Sequence, residues 1–217
     1  MKISSIKGRS RAFTLLELFI VISIIAFLAL LILPAVVTPH HRGGPRINCT
    51  NNLKQVGLAF RMWSDDNGVY PMLYRTNNFD GPSFATQQKM YVYYQAMSNE
   101  LSTPKIVVCP ADLKRTPGTN FTTDFSNSNV SYFVGLDASE ANPQMFLAGD
   151  RLISNGTQPL NHLLDLKTNQ PVRWTQEIHN GRGNVALADG SVQGFTSAGL
   201  EKALQYTGTN LTRLALP

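Results

Sequence analysis

Glu17 is the first residue whose position asks for chemistry. It is the only charged residue between Phe13 and Val37, and Leu18 to Val37 carries no charge at all. A carboxylate held in apolar surroundings costs several kcal/mol unless a cation pairs with it. Further along stand three more groups that could do chemistry. His179 and Asp189 are residue types that serve as an acid and a base. Asp65, Asp66 and Asn67, before Gly68, offer oxygen ligands of the kind calcium takes, with Asp150 or Asp189 as further donors. Cys49 and Cys109 are the only cysteines. They can bridge or remain buried thiols, and with no second Cys or His at ligand spacing they make a poor zinc site.

Each of these has a plainer explanation beside it. Asp189-Gly190 lies between two apolar runs, where a tight turn needs exactly such residues, and this accounts for Asp189 without catalysis. His179 precedes that hairpin and can bond to loop backbone. Asp65 to Gly68 also reads as a turn that ends a helix. No Gly-rich phosphate loop and no Ser-His-Asp spacing is present. No enzyme activity and no cofactor are expected, calcium at Asp65, Asp66 and Asn67 being the one metal with candidate ligands.

Residues Ala12-Phe13-Thr14-Leu15-Leu16-Glu17 resemble the N-terminal processing signal of type IV pilins and type II secretion pseudopilins. The resemblance implies a prepilin peptidase cutting at Ala12-Phe13 and methylating the new amine of Phe13, with Glu17 at the family's acidic position. The family usually has Gly where this chain has Ala12. A cut there places a positive amine four residues from Glu17, one helical turn away. In a fibre the same carboxylate can instead meet the amine of a neighbouring subunit and set axial register. A second stretch, Cys49 to Phe60 followed by Asp65-Asp66-Asn67-Gly68-Val69-Tyr70-Pro71, is similar to one branch of these pilin-like proteins. So are Cys109-Pro110-Ala111-Asp112 and the C-terminal signature His-x9-Asp-Gly, formed by His179, Asp189 and Gly190.

The bulk numbers agree with a chain of few charges. The 217 residues have a net charge of +5, but Lys2, Lys7, Arg9 and Arg11 supply four positive charges ahead of the apolar run. Without residues 1–12 there remain 15 basic and 14 acidic residues. The basic pI therefore belongs to the leader, and no nucleic-acid partner is expected. The same bias places the N-terminus in the cytoplasm and the rest outside, where a disulfide can persist.

The elements that must position these groups follow from periodicity. The expected fold is α+β and pilin-like: a long N-terminal transmembrane helix packed on a small antiparallel sheet. The expected divisions are a leader at 1–12, a transmembrane and assembly helix at 13–37 and a Pro/Gly linker or hinge at 38–46. An extracytoplasmic head follows at 47–217. Pro34 is expected to kink the first helix. The adjacent His40 and His41 read as part of a solvated linker. In the head, Leu53, Val56, Phe60 and Trp63 recur at helical spacing and define a buried face. Lys105–Cys109, Val130–Val134 and Gln144–Ala148 read as strands, Asn184–Phe195 as a hairpin, and 198–206 as a short closing helix.

Together these imply a structural pilin-like subunit of a type IV pilus or type II secretion pseudopilus. Its expected partners are prepilin peptidase, the pilus or pseudopilus assembly machinery, other pilin-like subunits and the inner membrane. The alternative is a processed, membrane-anchored binding module in the periplasm that does not polymerise.

Overall fold

The computed structural model describes residues 14–37 and 44–217, without the side chains of residues 31–37, 44, 45 and 86. The chain divides into two compact units, residues 1–41 and 42–217. In the first, helix α1 spans Leu15–Val37 and continues through Pro34. The Thr14 hydroxyl accepts from the Glu17 N–H at 3.3 Å, which satisfies one free donor of the first turn. From Leu15 to Leu30 every side chain except Ala29 is exposed, and Leu18, Phe19, Ile20 and Val21, at successive steps of about 100°, cover different sides of the same helix.

The expected transmembrane helix is corrected here. Among the described residues no helix is long and apolar enough to cross a membrane. The helix that the sheet carries is the second one. It is α2, Gly44–Asn67, with Pro45 in its first turn, where a missing N–H costs no hydrogen bond. Residues 38–43 of the expected hinge, including His40 and His41, lie outside the described residues.

In the second unit α2 buries Cys49, Leu53, Val56, Ala59 and Phe60, one continuous stripe, with Trp63 half-buried at its end. Three short helices follow: α3 (Gly81–Thr86), α4 (Tyr91–Ala96) and α5 (Ser98–Leu101). They bury Tyr93, Tyr94, Met97 and Leu101 in the same core. The expected strand at Lys105–Cys109 is instead a 3₁₀ turn, Pro104–Val107. Pro104 sits in its first turn and the Thr103 hydroxyl accepts from the Lys105 N–H, so local capping overrides the β-branched run.

The strands are β1 (Tyr132–Gly135), β2 (Phe146–Asp150), β3 (Ile153–Ser154), β4 (Leu163–Lys167), β5 (Arg173–Trp174), β6 (Arg182–Leu187) and β7 (Val192–Thr196), then β8 (Leu211–Ala215) after α6 (Ser197–Gln205). Six of them form one antiparallel sheet in the order β4-β8-β1-β2-β6-β7, and β3 pairs with β5. Both faces are covered. One meets α2 and the short helices through Tyr132, Val134, Leu147, Ala148 and Ala186. The other carries α6, with Leu200 and Leu204 against Phe133, Phe146, Val185 and Leu214. Double coverage explains why β1 and β2 are buried along their whole length instead of alternating. The chain does not close on α6: β8 returns to the middle of the sheet, between β4 and β1.

Candidate functional site

Cys49 lies one turn into α2, and Cys109 follows the 3₁₀ turn. Their Cα atoms are 4.9 Å apart and a disulfide joins them, closing 60 residues of chain. Both are buried, at 0% and 1% exposure. Neighbouring bonds hold the two segments together. The Asn52 amide donates to the Val108 carbonyl at 3.0 Å, and the Tyr132 hydroxyl donates to the Cys49 carbonyl. Three residues beyond Cys109, buried Asp112 accepts two bonds from Arg151, at 2.7 and 2.9 Å. Burial pushes this carboxyl up, but the Arg151 guanidinium outweighs it and holds Asp112 below its usual range. The Cys109 segment is thereby fixed to the end of β2.

His179 reaches the same place from the opposite side of the chain. His179, Asn180 and Gly181 take φ of 57°, 53° and 73°, three successive left-handed residues before β6. Two of them are not glycine, an arrangement that costs of order 1 kcal/mol each and turns the imidazole inward. Its Nε2 lies 3.4 Å from Cys109 Sγ and 3.6 Å from Asp150 Oδ2, and the His and Asp side chains are 3% and 2% exposed. Asp150 Oδ2 accepts from the Asn184 backbone N–H at 2.7 Å and from its side-chain amide at 2.9 Å. Asp150 Oδ1 is buried without a hydrogen-bond partner among the described residues. The Asn184 amide oxygen in turn accepts from the Thr50 hydroxyl of α2.

The Asp150–His179 spacing is that of an ion pair, yet burial drives each group toward its uncharged form. It pushes Asp150 up to about 7, against the bonds from Asn184 and the charge of Arg46. Burial, then Arg46, lowers His179. Near pH 7 a neutral imidazole therefore faces an Asp150 divided between carboxyl and carboxylate. Cys49, Cys109 and His179 place their ligand atoms within 4.8 Å of one another, the single such grouping of three among the described residues.

The remaining sequence candidates are distributed elsewhere. Asp189 and Gly190 turn the β6–β7 hairpin: the Gly190 N–H bonds to the Leu187 carbonyl at 2.9 Å, with Gly190 at φ 85°. The turn is stapled to α2 and the segment that follows it. Arg61 donates to the Asp189 carbonyl and the Tyr70 hydroxyl to the Ala188 carbonyl. The Asp189 carboxylate accepts from the Ser191 N–H, inside its own turn. Asp65, Asp66 and Asn67 finish α2, whose end is closed by Gly68 at φ 82°. The Asn67 amide bonds back to the Trp63 carbonyl. Glu17 stands in the first turn of α1. Ala12 and Phe13 lie outside the described residues.

Asp150 next to His179 is the feature that sequence reasoning missed, having weighed Asp150 only as a calcium donor. A signal was there to use. Asp150 ends the buried run Phe146-Leu147-Ala148-Gly149, and an acid at the end of a fully buried strand needs a partner. No protein family, no curated protein and no solved structure matches the chain.

Proposed function

We propose that this protein is a pilin-like structural subunit, cut by a prepilin peptidase at Ala12-Phe13 and assembled with copies of itself or related subunits through α1. The observation that carries this reading is the helix itself. Apart from Ser23, its described side chains beyond Glu17 are apolar, they are exposed on every side except at Ala29, and the one carboxylate, Glu17, sits in the first turn at the end of the processing sequence. Exposed apolar area of this extent calls for a cover, and association of like helices supplies one. Glu17 then takes the amine of Phe13 on a neighbouring subunit as its partner. The disulfide of the head suits an oxidising compartment outside the cytoplasm.

The test is the intact mass of the chain co-expressed with a prepilin peptidase, followed by electron microscopy of the processed product. A mass beginning at N-methylated Phe13, with filaments, is the expected result. Processing without filaments would favour the anchored, non-polymerising binding module. An uncut chain would remove the pilin reading altogether.

A further inference from the structure

The disulfide is half of a larger cluster, and the proposed function makes no use of the other half. We propose that reduction of Cys49–Cys109 converts this cluster into a metal site, in which Cys49 Sγ, Cys109 Sγ, His179 Nε2 and an Asp150 carboxylate oxygen bind one thiophilic divalent ion such as Zn2+.

The geometry argues for this ligand set. Tetrahedral zinc with Zn–S of about 2.3 Å and Zn–N or Zn–O of about 2.0 Å has S···N edges of about 3.5 Å and N···O edges of about 3.3 Å. The observed Cys109 Sγ···His179 Nε2 distance is 3.4 Å and His179 Nε2···Asp150 Oδ2 is 3.6 Å. Two edges of the tetrahedron are therefore already built, and the three Cys and His ligand atoms fall within 4.8 Å. The sulfur pair must separate and Asp150, which lies outside that 4.8 Å grouping, must draw nearer the sulfurs; side-chain rotation, on cysteine Cα atoms 4.9 Å apart, can do both.

Four further observations point to a ligand. Asp150, almost fully buried, has an oxygen with no hydrogen-bond partner among the described residues. Its other oxygen is oriented by two bonds from Asn184, the kind of support that metal-ligating carboxylates receive. Two thiolates, a carboxylate and a neutral imidazole around a divalent ion total one negative charge. Arg46, whose guanidinium acts electrostatically on both Asp150 and His179, compensates it. The left-handed backbone at His179 and Asn180 is the strain that aims the imidazole at the sulfurs.

The chemistry balances with an external dithiol as reductant. It passes two electrons and two protons to the protein disulfide, giving two cysteine thiols and its own disulfide. Binding of Zn2+ then releases to solvent the two thiol protons and, where Asp150 is protonated, its carboxyl proton. Access is from the surface on the Cys109 side, where a cavity of about 410 Å3 is lined by Cys109, Lys105, Asp112 and Arg115.

The test uses the full chain in mild detergent, oxidised or reduced with a dithiol and then freed of reductant under anaerobic conditions. Each form is titrated with Co2+ as a spectroscopic stand-in and then with Zn2+, while circular dichroism follows the fold. The expected result is one Co2+ per reduced chain, with thiolate charge-transfer and intense tetrahedral d–d bands, displaced by one Zn2+. The oxidised chain shows neither. His179→Ala and Asp150→Asn are each expected to weaken metal binding by about 10- to 100-fold, with the charge-transfer band kept because both sulfurs remain. If reduction unfolds the head, Zn2+ is expected to restore it. A reduced chain that takes up no more metal than the oxidised one overturns the proposal. So does an unfolded reduced chain that Zn2+ does not rescue, or binding indifferent to both His179→Ala and Asp150→Asn.

Discussion

Helix α1 and the head solve the burial problem in opposite ways. The head closes on itself: a six-stranded sheet takes α2 on one face and α6 on the other, and its large apolar side chains reach 0–2% exposure. Its buried acids, Asp112 and Asp150, both find partners inside the same unit. Along the described part of α1 the large apolar side chains are 44–85% exposed. Its single acid, Glu17, has no cation of its own among the described residues. What the difference teaches is where each sequence expects its complement. The head's periodicities of two and of three to four specify faces that meet within the chain. α1 has no charged face among its described residues to turn outward, so its pattern calls for cover on all sides.

The largest expected effect breaks the comparison at Glu17. In the assembled state this carboxylate is read as paired with a neighbour's amine. Removing one partner of a buried pair costs about 3–5 kcal/mol, more than a hundredfold in an assembly equilibrium. Glu17→Ala is expected to process normally, to lose filaments by electron microscopy, and to leave thermal unfolding of the head unchanged. Normal filaments from this variant would sink the pairing account of register.

The next effect belongs to the head alone. Phe60 is fully buried on α2 and meets Tyr70 and Tyr94 edge-on, with ring centroids at 5.9 and 6.1 Å. Phe60→Ala is expected to lower head stability by about 3–5 kcal/mol in urea unfolding, with cleavage at Ala12-Phe13 unaffected. A loss under 1 kcal/mol would mean that α2 is not the helix on which the sheet depends. The disulfide ranks close behind. Replacing both Cys49 and Cys109 by Ala frees a loop of 60 residues, and chain entropy then puts the loss at about 4 kcal/mol. The unfolding midpoint of the double variant, compared with oxidised wild type, measures it. Equal midpoints would show that packing of α2 and the Asp112–Arg151 anchor already hold the two segments together.

How far these features were legible depends on how local their causes are. The α2 stripe of Leu53, Val56 and Phe60 stands in the sequence because helical spacing is a property of the helix alone. The Asp189-Gly190 turn is visible for a similar reason, since Gly190 needs a positive φ wherever it sits. Strand β8 was not visible. Its short run, Leu211 to Ala215, is interrupted by Arg213, whose charge is satisfied by Asp137 from a distant part of the chain. Lys105–Cys109 misled because β-branched residues suggest a strand, while Pro104 and the Thr103 cap decide for a 3₁₀ turn. The cluster around the disulfide was least legible. His179 is 70 residues from Cys109, and no spacing rule relates Asp150 to either; the sheet register and the left-handed run at His179 bring them together.

The smallest expected effect tests whether the Cys109 segment is held by charge. Asp112 has a folded-state pKa below its unfolded value, the net result of burial opposed by Arg151. A lowered carboxyl contributes stability that is present above the ordinary carboxylate range and is lost as pH falls through the folded value. The loss should therefore lie on the acid limb, below about pH 4, and not near neutrality. Protonation gives up charge-assisted bonds worth about 1–2 kcal/mol. Other carboxylates titrate in the same range, so the readout is a difference. Urea unfolding of wild type and Asp112→Asn is measured at pH 7 and pH 3, and the wild type is expected to lose about 1–2 kcal/mol more than the variant between the two. Parallel losses would mean that Arg151 holds Asp112 equally well without the charge. The segment bearing Cys109 would then be placed by packing and the disulfide, as the rest of the head is, and the contrast with the single unpaired carboxylate of α1 would sharpen.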